Sequence, residues 1–134
     1  MKNFILIIIA VFTFSACNKS VENLPNLIQS DLGESIEGIV LIEFHQDFCE
    51  DCKTMDPRVK ELKKEMEGKA KVIQICCGRT PLDEIFMIST IPTFIVFLDG
   101  KPLEKKIGQR SKRYLERMIE RAEKERDKKV GSKK

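Results

Sequence analysis

Apolar residues fall along this chain in blocks whose period changes from one block to the next. Residues 4–14, FILIIIAVFTF, form an almost unbroken apolar run. Ile39 to Phe44, IVLIEF, is a second, shorter run rich in β-branched residues, and it predicts a strand buried on both faces. Met55, Val59, Leu62 and Met66 then recur at steps of four, three and four, which is one face of an amphipathic helix that Gly68 would close. Ala70 to Cys77, AKVIQICC, predicts a second strand. Strand, helix and strand in that order imply a right-handed βαβ unit with parallel strands.

The rest of the chain continues in short elements. Thr80, Pro81 and Asp83 look like an N-cap, a first helical position and the third position of a capping box, so a short helix is predicted after Thr80. TFIVFLDGKPLEKKIG, Thr93 to Gly108, predicts two strands joined at Asp99-Gly100, a dipeptide that favours tight hairpin turns. Tyr114, Leu115, Met118, Ile119 and Ala122 line one face of a last helix. The final stretch, EKERDKKVGSKK, is charged and is predicted to fray. Upstream, LPNLIQSDLGESIEG has scattered apolar positions that suggest a further helix, with Gly38 marking the turn into the first strand.

Composition narrows the class. With 134 residues, 42% of them apolar, the chain can build one modest core. A third of the residues are charged, yet the net charge is only +3, and no basic patch with interleaved aromatics appears. That speaks against nucleic acid as a partner. The apolar run at residues 4–14 follows Lys2 and is short for a membrane span; it ends in Phe14-Ser15-Ala16-Cys17. Small residues before a cysteine resemble the processing site of bacterial lipoproteins, in which the cysteine is acylated and becomes the mature N-terminus. On that resemblance residues 1–16 are a signal peptide, Cys17 is the lipidation site, and 17–26 form a polar tether. Lipid-anchored to a bacterial membrane, the domain would face the extracytoplasmic side of the cell envelope, where disulfides persist.

Four cysteines remain: Cys49, Cys52, Cys76 and Cys77. Cys49 falls where the first strand has ended and the helix begins. A helix N-terminus offers unpaired N–H groups and the positive end of the dipole, both of which favour a thiolate. Cys52 lies one turn later on the same side and can close a small disulfide. The spacing therefore suits an attacking thiol beside one that resolves a mixed disulfide. It also suits half of a thiolate site for zinc or copper(I), completed by Cys76 or Cys77. Against that, a second C-x-x-C is missing and the chain has one histidine.

Taken together, these segments resemble the thioredoxin family. VLIEFHQDFCEDCKTMDP is similar to that family's strand, active-site loop and helix start, with Lys53, Met55 and Pro57 at matching positions. STIPTF is similar to the segment that carries the family's cis-proline, and Gly100 and Gly108 match the hairpin turn and the glycine before the last helix. The resemblance implies an α/β, thioredoxin-like fold, a central mixed β-sheet flanked by helices on both faces, over residues 27–124, with 125–134 as a charged tail. It implies Cys49 as the nucleophile, Cys52 as the resolving cysteine, and Glu43, where the family has an acid, as the proton carrier. A carboxyl within IVLIEF should be desolvated and hold its proton more tightly. Pro92 should be cis, the backbone of Ile91 should pair with an incoming peptide, and Phe48 should contribute to substrate binding.

The chain also departs from the family pattern. His45 and Phe48 replace two tryptophans, Gln74 falls where the family has a lysine near the acid, and Glu50-Asp51 replaces Gly-Pro between the cysteines. Two acidic side chains beside a thiolate oppose its charge, while the helix terminus favours it. Of Cys76 and Cys77, strand parity sends one toward the core and the other toward the active-site rim. The expected function is thiol–disulfide exchange with client proteins, in the reducing direction, with a membrane redox partner recycling the dithiol. No cofactor and no resident metal are expected. The competing readings are the metal-binding module and a non-catalytic interaction protein that uses the same fold.

Overall fold

The computed structural model describes residues 35–132. Cys17, expected to carry the lipid, and nearly all of the upstream segment expected to be helical lie outside them. A four-stranded sheet has the order β2-β1-β3-β4. Its strands are β1 (Ile39–His45), β2 (Lys71–Cys76), β3 (Thr93–Leu98) and β4 (Lys101–Ile107). β1 runs parallel to β2 and antiparallel to β3, and β3 pairs antiparallel with β4, so the sheet is mixed. The helices are α1 (Glu50–Glu65), the single-turn α2 (Leu82–Ile85) and α3 (Lys112–Gly131). Among the described residues no helix is long and apolar enough to cross a membrane.

Strand parity builds two cores. Ile39 and Leu41 of β1, Val72 of β2 and Phe94, Val96 and Leu98 of β3 point to one face. There they meet Met55, Val59 and Leu62 of α1 and Leu115, Met118, Ile119 and Ala122 of α3. Val40, Ile42, Phe44, Ile73, Ile75, Ile95 and Phe97 point to the other face and pack with Leu82, Phe86 and Ile88 around α2. β1 is therefore buried on both faces, as its unbroken apolar run requires. Glu43 continues the Ile39, Leu41 row onto the α1 face, and is the polar end of that row.

The hairpin turn is carried by Asp99 and Gly100, both with positive φ (49° and 77°), the backbone that a tight two-residue turn demands. Asp99 also binds Gly38 twice: its N–H donates to the Gly38 carbonyl at 2.8 Å, and its Oδ1 accepts from the Gly38 N–H at 2.9 Å.

Two local expectations are corrected. The capping box before α2 is half-formed. Thr80 Oγ1 accepts from the Leu82 N–H at 3.0 Å, but Asp83 Oδ2 accepts from the Gly78 N–H at 2.8 Å instead of returning to Thr80. Asp is short for that return, and the left-handed Gly78 turn (φ 83°) brings a nearer donor. The charged stretch after Ala122 does not fray at once, because α3 continues through Gly131. Glu, Lys and Arg are good helix formers, and Lys128 and Lys129 sit where the dipole favours cations.

Candidate active site

The site lies at one end of the sheet. β1 and β2 end there, and β3 begins there: His45 is level with Cys76, and Phe44 with Thr93. Four residues beyond His45 the chain turns into α1, whose N-cap is Cys49 in an extended conformation (φ −95°, ψ 112°). Cys49 and Cys52 form a disulfide with their Cα atoms 5.2 Å apart. The Cys52 N–H donates to Cys49 Sγ at 3.1 Å. Thus the sulfur of Cys49 takes the place that a Ser or Asp oxygen usually holds at a helix start.

The two sulfurs are not equivalent. Cys49 is half-exposed, whereas Cys52 is 5% exposed behind it. Only Cys49 is open to a partner, and Cys52 can reach only what Cys49 has captured. An exposed sulfur backed by a buried one suits attack by Cys49 and resolution by Cys52. Phe48, immediately before the pair, is 97% exposed, an apolar ring that none of the described residues covers.

The acidic residues at the tip each have a partner. Glu50 pairs with Lys53 at 2.7 Å, Asp47 with Arg79 at 2.9 Å, and Asp51 Oδ1 accepts from Gln109 Nε2 at 2.7 Å. The last contact ties the start of α1 to the loop between β4 and α3. That loop is in turn tied to the proline segment, because the Gly108 N–H donates to the Pro92 carbonyl at 2.7 Å. The Ile91–Pro92 peptide bond is cis, Pro92 is buried and Ile91 half-buried.

Behind the disulfide is a cleft of about 270 Å³ lined by Glu43, His45, Cys52, Lys53, Asp56 and Gln74, among others. Glu43 is 1% exposed. Its Oε2 accepts from Gln74 Nε2 at 2.8 Å, and its Oε1 has no hydrogen-bond partner among the described residues. Burial raises its pKa from 4.5 to about 7; the Gln74 hydrogen bond opposes the rise and the charge of Asp56 adds to it. A carboxyl poised near neutrality, lining one cleft with Cys52, can take a proton from that residue's thiol in the reduced form and return it. His45 lines the same cleft.

Sequence reasoning placed Gln74 beside the acid but missed Asp56. The same Gln74 amide nitrogen donates to Asp56 Oδ1 at 3.3 Å. Asp56 lies one turn after Cys52 on the same side of α1, and this i, i+4 spacing was the available signal. Cys76 and Cys77 are both free and half-buried. Parity separates them as expected: Cys77 packs against the α2-side core, and burial pushes its thiol up, with Asp83 adding to the effect. Among the described residues no group of three His, Cys, Asp or Glu side chains is placed to hold a metal ion.

Comparison with known proteins gives the class. A family model described as Thioredoxin matches residues 17–121. A thioredoxin from Staphylococcus saprophyticus is 33% identical over 94 residues, covering 69% of this chain and 90% of that protein. One from Staphylococcus aureus is 31% identical over 94 residues, with the same shares covered. Among solved structures, a mutant thioredoxin from Halobacterium salinarum superposes with a TM-score of 0.61 at 24% identity, covering 75% of this chain and 83% of that one, which shows the shared fold. The chain belongs to the thioredoxin family. With its Cys49–Cys52 pair at disulfide distance, it is a thiol–disulfide oxidoreductase.

Proposed function

We propose that this protein reduces disulfides in client proteins on the extracytoplasmic side of a bacterial membrane, to which acyl chains on Cys17 hold it. The observation that carries the exchange chemistry is the half-exposed Cys49 bonded to a buried Cys52 that shares a cleft with Glu43. In the dithiol form, the Cys49 thiolate attacks one sulfur of a client disulfide, and the other client sulfur leaves as a thiolate. Cys52 gives its proton to the Glu43 carboxylate. The Cys52 thiolate then attacks Cys49 Sγ, the second client sulfur leaves, and Glu43 releases its proton to the departing thiolate or to water. The client gains two electrons and the protein becomes the disulfide seen here. A membrane redox partner returns the two electrons for the next turnover.

Client binding is assigned to the exposed ring of Phe48 and to the backbone of Ile91 beside Pro92, an edge to which an extended peptide can add. The anchored location is supported by Lys2, the apolar run at 4–14 and the small residues before Cys17. The test is insulin reduction by the wild type and by Cys49→Ser: the wild type should turn over and the variant should not. Equal inertness of the two would end the enzyme reading. Replacing Cys17 by Ser should move the expressed protein from the membrane fraction to the soluble one.

A further inference from the structure

Gln74 and Asp56 have no assigned part in exchange, yet they complete the surroundings of Glu43. The Gln74 amide nitrogen stands between two carboxylates, 2.8 Å from Glu43 Oε2 and 3.3 Å from Asp56 Oδ1. Asp56 is held ionised by Lys60, whose Nζ is 2.6 Å from Oδ2. An ionised carboxylate only accepts hydrogen bonds, so it dictates which end of the Gln74 amide faces it. The NH2 end must point toward Asp56, and the same nitrogen then donates to Glu43 Oε2. With Oε2 occupied by a donor, the proton of neutral Glu43 sits on Oε1, the oxygen left without a partner among the described residues.

We propose that Gln74 and Asp56 are positioning residues for Glu43: ionised Asp56 fixes the rotation of the Gln74 amide, and the amide fixes which carboxyl oxygen gives and takes the proton. This rests on the reading of Glu43 as the proton carrier for Cys52. The two act on Glu43 in opposite senses. The amide N–H stabilises the carboxylate, whereas the charge of Asp56 disfavours it. The other charged or titratable groups facing the cleft are His45 at the end of β1, Asp47 in the turn after it, and Cys52 and Lys53 from α1. On the β3 side Glu43 is level with Phe94, which carries no charge.

The test follows the Glu43 carboxyl by carbon-13 NMR titration of the full-length oxidised protein. Asp56→Asn should lower the Glu43 midpoint and Gln74→Met should raise it, each by about half a pH unit or more. Both substitutions are near-isosteric at positions that are not buried, so folding is preserved. In wild-type protein the Gln74 side-chain amide protons donated to the two carboxylates should resonate downfield of a solvated amide, and the one facing Asp56 should move upfield in Asp56→Asn. Shifts in the same direction, no shifts, or amide signals indifferent to Asp56 would overturn the proposal. The rate at which a mixed disulfide on Cys49 is resolved in Glu43→Gln judges the proton-carrier reading separately. Opposed titration shifts with an unchanged resolution rate would support the positioning pair and count against that reading.

Discussion

The backbone N–H of Cys52 donates to Sγ of Cys49 at 3.1 Å, so the sulfur that meets solvent is also the cap of α1. The interaction that caps the helix also holds the exposed sulfur in place. The orphan N–H groups of the first turn converge where negative charge develops when the disulfide is reduced.

Glu50 and Asp51 work against that convergence. Replacing both with Gln and Asn removes two negative charges from the first turn and frees Lys53 from Glu50. The reduced double variant should react with iodoacetamide at neutral pH about two- to fivefold faster than wild type, the range expected for charges at a helix terminus. Its equilibrium with glutathione should move toward the dithiol. An unchanged or slower alkylation rate would show that these acids do not act on the sulfur.

Glu43 links the site to stability. Folded, it holds a proton up to about pH 7; its ordinary pKa is 4.5. Between those values the folded chain binds more protons than the unfolded chain. Stability therefore falls as pH rises from the lower value through the upper one, and levels off above it. Glu43→Gln removes the loss and keeps an acceptor for Gln74. At pH 8 the oxidised variant should be more stable than wild type by up to roughly 3 kcal/mol, with little difference at pH 4. Parallel urea titrations at the two pH values check this; an equal difference at both would contradict it.

Phe48 separates binding from folding. With its ring fully outside the core, Phe48→Ala should change stability by no more than about 0.5 kcal/mol in urea unfolding. Exchange with a protein disulfide should slow through a higher KM, while exchange with a small disulfide, which has no surface to bury against the ring, should be unaffected.

Met87 carries a positive φ of 50° on a largely exposed side chain just after α2. A non-glycine residue in that region is strained. Met87→Gly should stabilise the protein by up to about 1 kcal/mol, less the entropy glycine gains when unfolded. A drop in Tm would mean that the Met87 side chain contributes packing that outweighs the strain.

Much of this was legible in the sequence, for identifiable reasons. The run IVLIEF could only be a strand covered on both sides, Asp99-Gly100 demanded a tight turn, and the steps from Met55 to Met66 traced the buried face of α1. Each is a local signal repeated over several residues. What escaped was set by tertiary neighbours. The fate of the Asp83 carboxylate depended on the left-handed turn at Gly78, and the length of α3 on a solvated helix needing no core. Asp56 joined the site through the β1–β2 register, which places Gln74 level with Glu43. Full exposure of Phe48 and burial of Cys52 one turn later are properties of the folded surface, which cysteine spacing does not encode.

Division of labour between the two sulfurs is the claim on which the account turns, and trapping tests it most directly. Reduced Cys52→Ser protein, mixed with a disulfide-bonded peptide, should accumulate a mixed disulfide located by mass spectrometry on Cys49. Wild type should pass the same peptide on as dithiol without a lasting adduct. An adduct found on Cys76 or Cys77, or none while the wild type still reduces the peptide, would contradict it.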